Sequence, residues 1–428
     1  MIFAKINNWL LSRGVIFSKR GLKIRGLVFS WIVIAGMFTV CAASFWVANE
    51  YKSLDDQPAD QELALDSSEE PQDEEQEQTG EAGQATTTKK SIPSSGPGSA
   101  PPAAPIPGPS EPETPAAISK QVAVYLPYWD MENAFSSLQA NADKISVAHP
   151  VWYYPNSAGG IEQFTSAGSG TIINFSRSNN IKIIPSLNNE CNPTAIEQVL
   201  SDSGKTATHI QNIISLVGTY DYDGVDIDYE CFTNVGLKDS YSNFIGNLAN
   251  ELHSRGKYLT TAVHAKTSDA GGWSGTAAQD WSAIGNYVDQ MLIMTYDYHW
   301  NTSVAGDIAP LSWMQSVLSY GKTKVGASKI LLGIHFYGYD WVGTSGTDKT
   351  YNEIQAIIAA HSPSVSMSGE TEKYFTYNDG SPHTVYFADS DVVAPRVNLV
   401  NNYSVAGIGI WRIGQEDSEN WQKIDQAF

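Results

Sequence analysis

The chain has 428 residues, and its 46 Asp and Glu against 26 Lys and Arg give a formal net charge of −20 at pH 7. That length suits one large domain with appendages. An acid excess of this size argues against nucleic acid as a partner, because a polyanion would be repelled.

The first 25 residues are basic, with Lys5, Arg13, Lys19, Arg20, Lys23 and Arg25 and no acid. Residues 26–49 follow without a charge and are rich in Ile, Val, Phe and Trp. A helix of about 20 apolar residues spans a bilayer, and the basic flank keeps the N-terminal end in the cytoplasm. The expectation is a basic cytoplasmic segment (1–25) and a transmembrane signal-anchor helix (26–49). The alternative is a signal peptide cut near Cys41-Ala42-Ala43, although the apolar run exceeds the ~7–15 residues of a signal core. Residues 50–117 change character, first acidic and Gln-rich (Asp55 to Glu81), then rich in Pro, Gly, Ser and Ala (Ser91 to Ala117). Neither stretch can bury enough apolar surface to offset its ordering, so a disordered linker is expected. As a flexible tether it would average about 45 Å end to end.

From residue 118 to 428 apolar segments alternate as strand and helix. The expected strands are Val122–Leu126, Ile145–Val151, Ile181–Pro185, Gly224–Glu230, Tyr258–His264, Gln290–Tyr296, Ile330–Phe336 and Gly407–Arg412. Helical patterns lie between them, such as Phe244, Leu248 and Leu252 at four-residue spacing, closed by Gly256. Eight parallel strands with intervening helices in about 300 residues is the count of an α/β (β/α)8 TIM barrel. The stretch Trp341–Val405 is too long for one crossover. It predicts a small α+β insertion between strands seven and eight: a helix over Tyr351–His361, a hairpin about Asn378-Asp379-Gly380, then a second helix.

Within the fourth strand, residues 223–230 read Asp-Gly-Val-Asp-Ile-Asp-Tyr-Glu. Successive side chains on a strand face opposite ways, so Asp226, Asp228 and Glu230 share one face, while Val225, Ile227 and Tyr229 share the other. Three carboxyls on one face cost free energy. An exposed acidic edge is the plain reading; the sharper one is a set of coupled carboxyls in a cleft, one held protonated as a general acid. In barrels of this type the active site lies where strands end. Those ends carry Tyr128 and Trp129; Trp152, Tyr153 and Tyr154; Asn188, Asn189 and Glu190; then Tyr296, Asp297, Tyr298, His299 and Trp300; Tyr337 and Tyr339; and Trp411. Acids among aromatic rings suit sugars, whose C–H faces stack on rings while hydroxyls meet carboxylates and amides. Any one of these rings, taken singly, is equally explained by packing.

These residues resemble glycoside hydrolase family 18, the chitinase and N-acetylglucosaminidase family. Asp223 to Glu230 matches its strand-four motif without a gap, Met294-Thr-Tyr-Asp297 its strand-six motif, and Trp411 its strand-eight tryptophan. Asp297-Tyr-His-Trp300, Ala309-Pro-Leu-Ser-Trp313, Lys329 to Trp341 and Gly409-Ile-Trp-Arg-Ile-Gly414 resemble the bacterial spore-germination and cortex-lytic glucosaminidase branch. The resemblance implies a family 18 catalytic domain over 118–428. Its reaction would be retaining hydrolysis of β-1,4 bonds in N-acetylglucosamine-containing polysaccharide, peptidoglycan or chitin-like, by substrate assistance. It also implies roles. Glu230 is the acid, Asp228 orients the acetamide, Asp226 tunes Asp228 so that the pair titrates as a unit, and Tyr296 donates to the acetamide oxygen. Asp297 holds the sugar and Trp411 is its floor, with Tyr128, Trp129, Trp152, Asn188, Tyr298, Trp300 and Tyr337 as further expected sugar contacts. Asp223 shapes the start of the strand.

No cofactor is implied. His149, His264, His299 and His335 lack metal-ligand spacing and read as packing or polar lining. Two other classes compete: a chitinase-like lectin without activity, and a metal-dependent hydrolase with Asp226, Asp228 and Glu230 as ligands. Cys191 and Cys231 follow adjacent strands and are candidates for a disulfide in an exported protein; their sequence positions set no distance between them, so the pairing stays open here. The expected arrangement is a monomer held by the membrane through its N-terminal helix, with its domain at the cell surface or in the wall, or secreted if the segment is cut.

Overall fold

The computed structural model describes residues 120–428, Gly271 excepted. The expected basic segment, transmembrane helix and linker lie outside the described residues. Among the described residues no helix is long and apolar enough to cross a membrane.

Eight strand positions close a parallel barrel. They are β1 (Gln121–Leu126), β2 (Val147–Pro155) with a short antiparallel β3 (Ile161–Gln163) on it, β4 (Lys182–Ile183) with β5 (Ser186–Asn188), β6 (Gly224–Asp228), β7 (Tyr258–His264), β8 (Gln290–Met294), β9 (Ile330–His335) and β15 (Gly407–Trp411). The order runs β1-β15-β9-β8-β7-β6-β5-β2, and β1 pairs with β2 to close it. Each expected strand is present. The third is split, because Pro185 has no N–H for the ladder; β2 pairs with β4 below it and with β5 above it. Several strands end one or two residues before the expected positions, with β6 stopping at Asp228 and β8 at Met294.

Alternation along the strands divides two cores. Facing the barrel axis is a small cluster that includes Ala123, Tyr125, Val147, Val151, Ile184, Ala262, Leu292 and Leu331. Facing the helices is a large cluster with Val225, Ile227, Phe244, Leu248 and Leu252, all fully buried. At the base of β6, Asp223 accepts a hydrogen bond from the Ile183 N–H at 2.8 Å, pinning the start of the strand to its neighbour. Gly224 beside it is required by a close approach: a Cβ there would sit 2.1 Å from the Tyr258 carbonyl oxygen.

The insertion begins immediately after β9, four residues earlier than the expected start at Trp341. Strands β10 (Tyr337–Val342), β11 (Ser345–Thr350), β12 (Ser366–Met367), β13 (Lys373–Asn378) and β14 (Pro382–Phe387) form an antiparallel sheet in the order β11-β10-β14-β13-β12. Tyr337 and Tyr339 therefore lie on the first strand of the insertion and not on the seventh barrel strand. The helix Tyr351–His361 starts with a capping box between Thr350 and Glu353. Asn378-Asp379-Gly380 turns β13 into β14, Gly380 taking φ +80°, and the expected second helix is Ser390–Tyr403.

A buried charge cluster ties this insertion to the barrel. Glu372, just before β13, is fully buried. Its carboxylate accepts from His335 Nε2 at the end of β9 and from Arg396 Nη2, each at 2.7 Å. Arg396 also donates to the carbonyls of Ala309, Val392 and Thr371. Burial pushes the Glu372 carboxyl up, but His335 and Arg396 outweigh it and hold the group below its ordinary range. Removing the carboxylate leaves the buried Arg396 without its ion partner, at a cost of about 3–5 kcal/mol. Glu372→Ala is accordingly expected to lose about that much stability in denaturant unfolding, whereas a change under 1 kcal/mol would show that the cluster ties nothing down.

Candidate active site

The alternation of β6 places its carboxyls at the mouth of the barrel. Asp226 lies deepest, 1% exposed. Its Oδ2 accepts from Tyr125 Oη at 3.0 Å and its Oδ1 from Thr260 Oγ1 at 2.7 Å, so both oxygens are satisfied. One turn of the pleat above it, Asp228 is 4% exposed and its Oδ2 accepts from Asn188 Nδ2 at 2.6 Å. Its other oxygen, Oδ1, is buried without a partner. Burial and the neighbouring charge of Asp226 push the Asp228 carboxyl up to about 7, against the opposing hydrogen bond of Asn188.

Glu230 stands two residues above Asp228, beyond the end of the strand. Asn189 clamps its backbone on both sides, donating from Nδ2 to the Glu230 carbonyl at 3.0 Å and accepting the Glu230 N–H at 2.9 Å. Burial, then the charges of Asp228 and Asp297, push the Glu230 carboxyl well above the usual range. That direction favours the protonated form, the state a general acid needs.

The segment after β8 supplies Tyr296 and Asp297. Tyr296 remains a neutral phenol because burial raises it far above its ordinary value. Asp297 takes φ +57° and accepts from Tyr337 Oη at 2.5 Å and Tyr339 Oη at 3.1 Å. Its carboxyl is raised by burial against those two hydrogen bonds. Glu190, Cys191 and Cys231 share the left-handed backbone, with φ of 49°, 54° and 58°. Each costs a residue bearing Cβ about 1–2 kcal/mol, and such strain gathers at sites where the surroundings hold it in place.

These groups open into a cleft of about 810 Å³, whose walls include Tyr125, Asp228, Glu230, His264, Tyr296, Asp297, Trp300 and Trp411. A smaller cavity of about 200 Å³ continues from it past Glu230, Cys191 and Trp411, lined by Tyr128, Trp129, Asn188 and Glu190. Tyr128 donates to Glu190 at 2.7 Å, and Arg412, paired with Asp130, lies over the Trp129 ring. A groove of similar volume runs outside the barrel between the helices Ser203–Tyr220 and Lys238–His253. It is lined largely by Ser, Thr, Asn and Gln and brings no coupled carboxyls together.

Three expected sugar contacts lie elsewhere. Trp152 is fully buried away from the cleft, because Val147, His149 and Val151 face the barrel axis and the next residue must face the helices, where it packs on Tyr222. Tyr337 holds Asp297 from behind and is no part of the cleft wall. Tyr298 leans outward on Trp313 with nearly half its surface exposed. Conversely, His264 ends β7 at the cleft, its Nε2 accepting from Cys231 N–H at 3.3 Å and lying 3.7 Å from Glu230 Oε2. Burial lowers its imidazole to about 4, so it is neutral. The strand-end rule that found Trp411 marks His264 equally, and Trp273 packs against its ring. Cys191 and Cys231 form a disulfide with Cα atoms 5.0 Å apart. Glu230, Cys231 and His264 come within ligating distance of one another, but the sulfur is committed to that bond and is no metal ligand.

Residues 126–416 match the family model described as glycosyl hydrolases family 18. A Bacillus subtilis protein named as a sporulation-specific glycosylase is 32% identical over 227 residues, which cover 51% of this chain and 53% of that protein. A cortical fragment-lytic enzyme of Bacillus anthracis is 28% identical over 239 residues, 54% of this chain and 55% of its own length. The chain thus spans about half the length of these two relatives. A chitinase of Chromobacterium violaceum superposes with a TM-score of 0.68 at 24% identity, covering 72% of this chain and 99% of that one; at that identity the likeness speaks for the fold alone.

A carboxyl raised in the folded state favours folding while it is protonated, and its contribution is lost as pH rises through the folded value. Asp228, raised to about 7, therefore weakens the fold above neutrality. Asp228→Asn is expected to raise Tm at pH 8 by roughly 2–4 °C, as about 1 kcal/mol would, and to leave it nearly unchanged at pH 4. Equal shifts at both pH values would contradict the assignment.

Proposed function

The chain belongs to the glycosyl hydrolases of family 18, and from that premise we propose that it cleaves β-1,4 bonds beside N-acetylglucosamine, with retention, using the substrate's own acetamide as nucleophile. The observation that carries this reading is the partnerless Asp228 Oδ1, buried beside a Glu230 carboxyl raised well above its ordinary range. A buried carboxylate oxygen left unpaired is costly, and an acetamide N–H is the donor that would satisfy it.

In this mechanism Glu230 gives its proton to the glycosidic oxygen as the bond to the anomeric carbon breaks. The acetamide oxygen of the same sugar closes on that carbon, forming an oxazolinium ring. Asp228 accepts the acetamide N–H and stabilises the positive charge, while Tyr296 donates to the acetamide oxygen. Asp226, held by Tyr125 and Thr260, lies beneath Asp228. The sugar ring rests on Trp411, with Asp297 at its hydroxyls. Water then adds to the anomeric carbon from the vacated face, and the Glu230 carboxylate takes its proton. Two inversions restore the original configuration.

The polymer we favour is bacterial peptidoglycan, with chitin-like oligomers as the alternative, because the relatives named above carry sporulation and cortical-fragment lysis in their names. Residues 26–49 would anchor the chain in the membrane and 50–117 would hold the barrel outside it, within reach of the wall. On this reading the protein sediments with membranes, and a protease that cuts the linker releases active enzyme; a fully soluble protein would contradict the anchor. Reducing ends should appear from purified peptidoglycan or N-acetylated oligomers, with kcat lowered about 10²–10⁴-fold in Glu230→Gln. Deacetylating the substrate removes the internal nucleophile, so turnover should fall by at least about 10²-fold. Undiminished cleavage of the deacetylated substrate would overturn substrate assistance.

A further inference from the structure

The cleft wall contains a disulfide that the reaction as derived does not use. Cys191 follows β5 and Cys231 follows β6 at the residue next to Glu230; both line the main cleft, and Cys191 also lines its side cavity. Cys191 is exposed and Cys231 partly so, leaving the bond open to a small thiol arriving through the cleft. Forty positions of sequence separate the two cysteines, so the bond joins loops that chain connectivity leaves independent. Both loops are held in left-handed backbone, at Glu190, Cys191 and Cys231, a conformation residues with Cβ leave when the restraint is removed. The bond acts alongside other ties: the Asn189 clamp, the 3.3 Å contact from Cys231 N–H to His264, the Tyr128–Glu190 hydrogen bond, and the Glu197 carboxylate, which accepts from the Thr233 and Asn234 N–H groups.

We propose that the Cys191–Cys231 disulfide is the positioning element of the acid Glu230, so that cutting it disarms the enzyme while leaving its barrel folded. The two loops carry no strand hydrogen bonds here, and the barrel beneath them is closed by ladders that do not involve either cysteine. Loss of the link frees Glu230 to turn out of the cleft, and a misplacement of about 1 Å costs a reaction on the order of 10²-fold. Reduction breaks one S–S bond and forms two S–H groups. A dithiol such as dithiothreitol supplies the two electrons and two protons and leaves as its cyclic disulfide. An enzyme built this way is active only where disulfides persist, outside the reducing cytoplasm.

This inference rests on the proposed glycosidase activity, which the untreated full-length protein reports by itself. The groups facing Glu230 are Asp228 on β6, Asp297 and Tyr296 after β8, His264 on β7 and Glu190 after β5. Turning away from Asp228 and Asp297 into water lowers the acid toward its ordinary value, so the alkaline limb of the rate profile moves to lower pH. Wild type, wild type reduced with dithiothreitol, and Cys191→Ser/Cys231→Ser are compared for kcat, KM, pH profile and, after the reductant is removed, far-ultraviolet circular dichroism. Expected in the reduced and double-variant proteins are a kcat lower by about tenfold or more, KM within about twofold, a lowered alkaline limb and an unchanged spectrum. Oxidised glutathione should restore the reduced wild type. Equal kcat and an unmoved limb would overturn the proposal. So would loss of the spectrum together with activity, which would make the bond a staple of the whole fold. Inactivity of the untreated protein would instead count against the glycosidase reading.

Discussion

The rest of this site depends on the burial of like charges at the mouth of a barrel. The two-residue period of β6 sends Val225 and Ile227 into the outer core and leaves Asp226 and Asp228 facing the axis. Taking carboxyls out of water raises the cost of ionising each of them, and every ionised neighbour raises it further. The structure spends its polar groups unequally on that problem. Asp226 receives two hydroxyl donors, from Tyr125 and Thr260, and is the deepest member. Asp228 receives one donor and keeps one empty oxygen, so its proton is held to about neutrality. Glu230 receives no side-chain donor to its carboxyl and is raised most clearly. A gradient of hydrogen bonding thus runs along the motif, and the two members with fewer donors, Asp228 and Glu230, are the ones raised.

That gradient requires the neighbours to stay where they are. Asn188 and Asn189, consecutive at the end of β5, act on two successive members of the motif: one on the Asp228 carboxylate, the other on the Glu230 backbone. On the opposite wall Asp297 is held by Tyr337 and Tyr339, which come from the inserted sheet. The insertion is fixed in turn by Glu372, Arg396 and His335, a charge cluster with no access to solvent. Because His335 ends β9 and Tyr337 begins β10, one short stretch of chain links the buried cluster to the groups that steady Asp297. The barrel supplies the acids, and the insertion supplies a wall that keeps one of them in position.

Much of the fold was legible because it is written in local period. Eight apolar segments of strand length, interrupted by helical spacing, suffice for the barrel, and the octapeptide with its period of two suffices for the coupled acids. The misses have equally local causes. Pro185 removed a ladder donor and split a strand that composition alone drew as continuous. Trp152 follows the expected end of the second strand at Val151, but β2 runs on to Pro155 and the parity of the position turns the ring to the helices. Tyr337 was assigned to the barrel because nothing in the run Ile330 to Trp341 marks where a parallel strand gives way to an antiparallel one. His264, read from sequence as packing or polar lining, is not among these misses: it lines the cleft, though a lone histidine carries no spacing that separates the two.

By itself, the sequence determined which groups could meet: a strand's pleat is a property of the backbone, so Asp226 and Asp228, two apart, must share a face wherever that strand lies, with Glu230 just beyond its end. It also determined the closed parallel sheet, through the alternation of strand and helix periods. Only the tertiary structure decided how far each acid is shielded from water, which partners it finds across the barrel, and that Cys191 and Cys231 lie 5.0 Å apart. Those quantities depend on separations between residues distant in the chain. Acidity and reach are set by such separations, because burial and Coulomb energy act through space and carry no local signature along the chain.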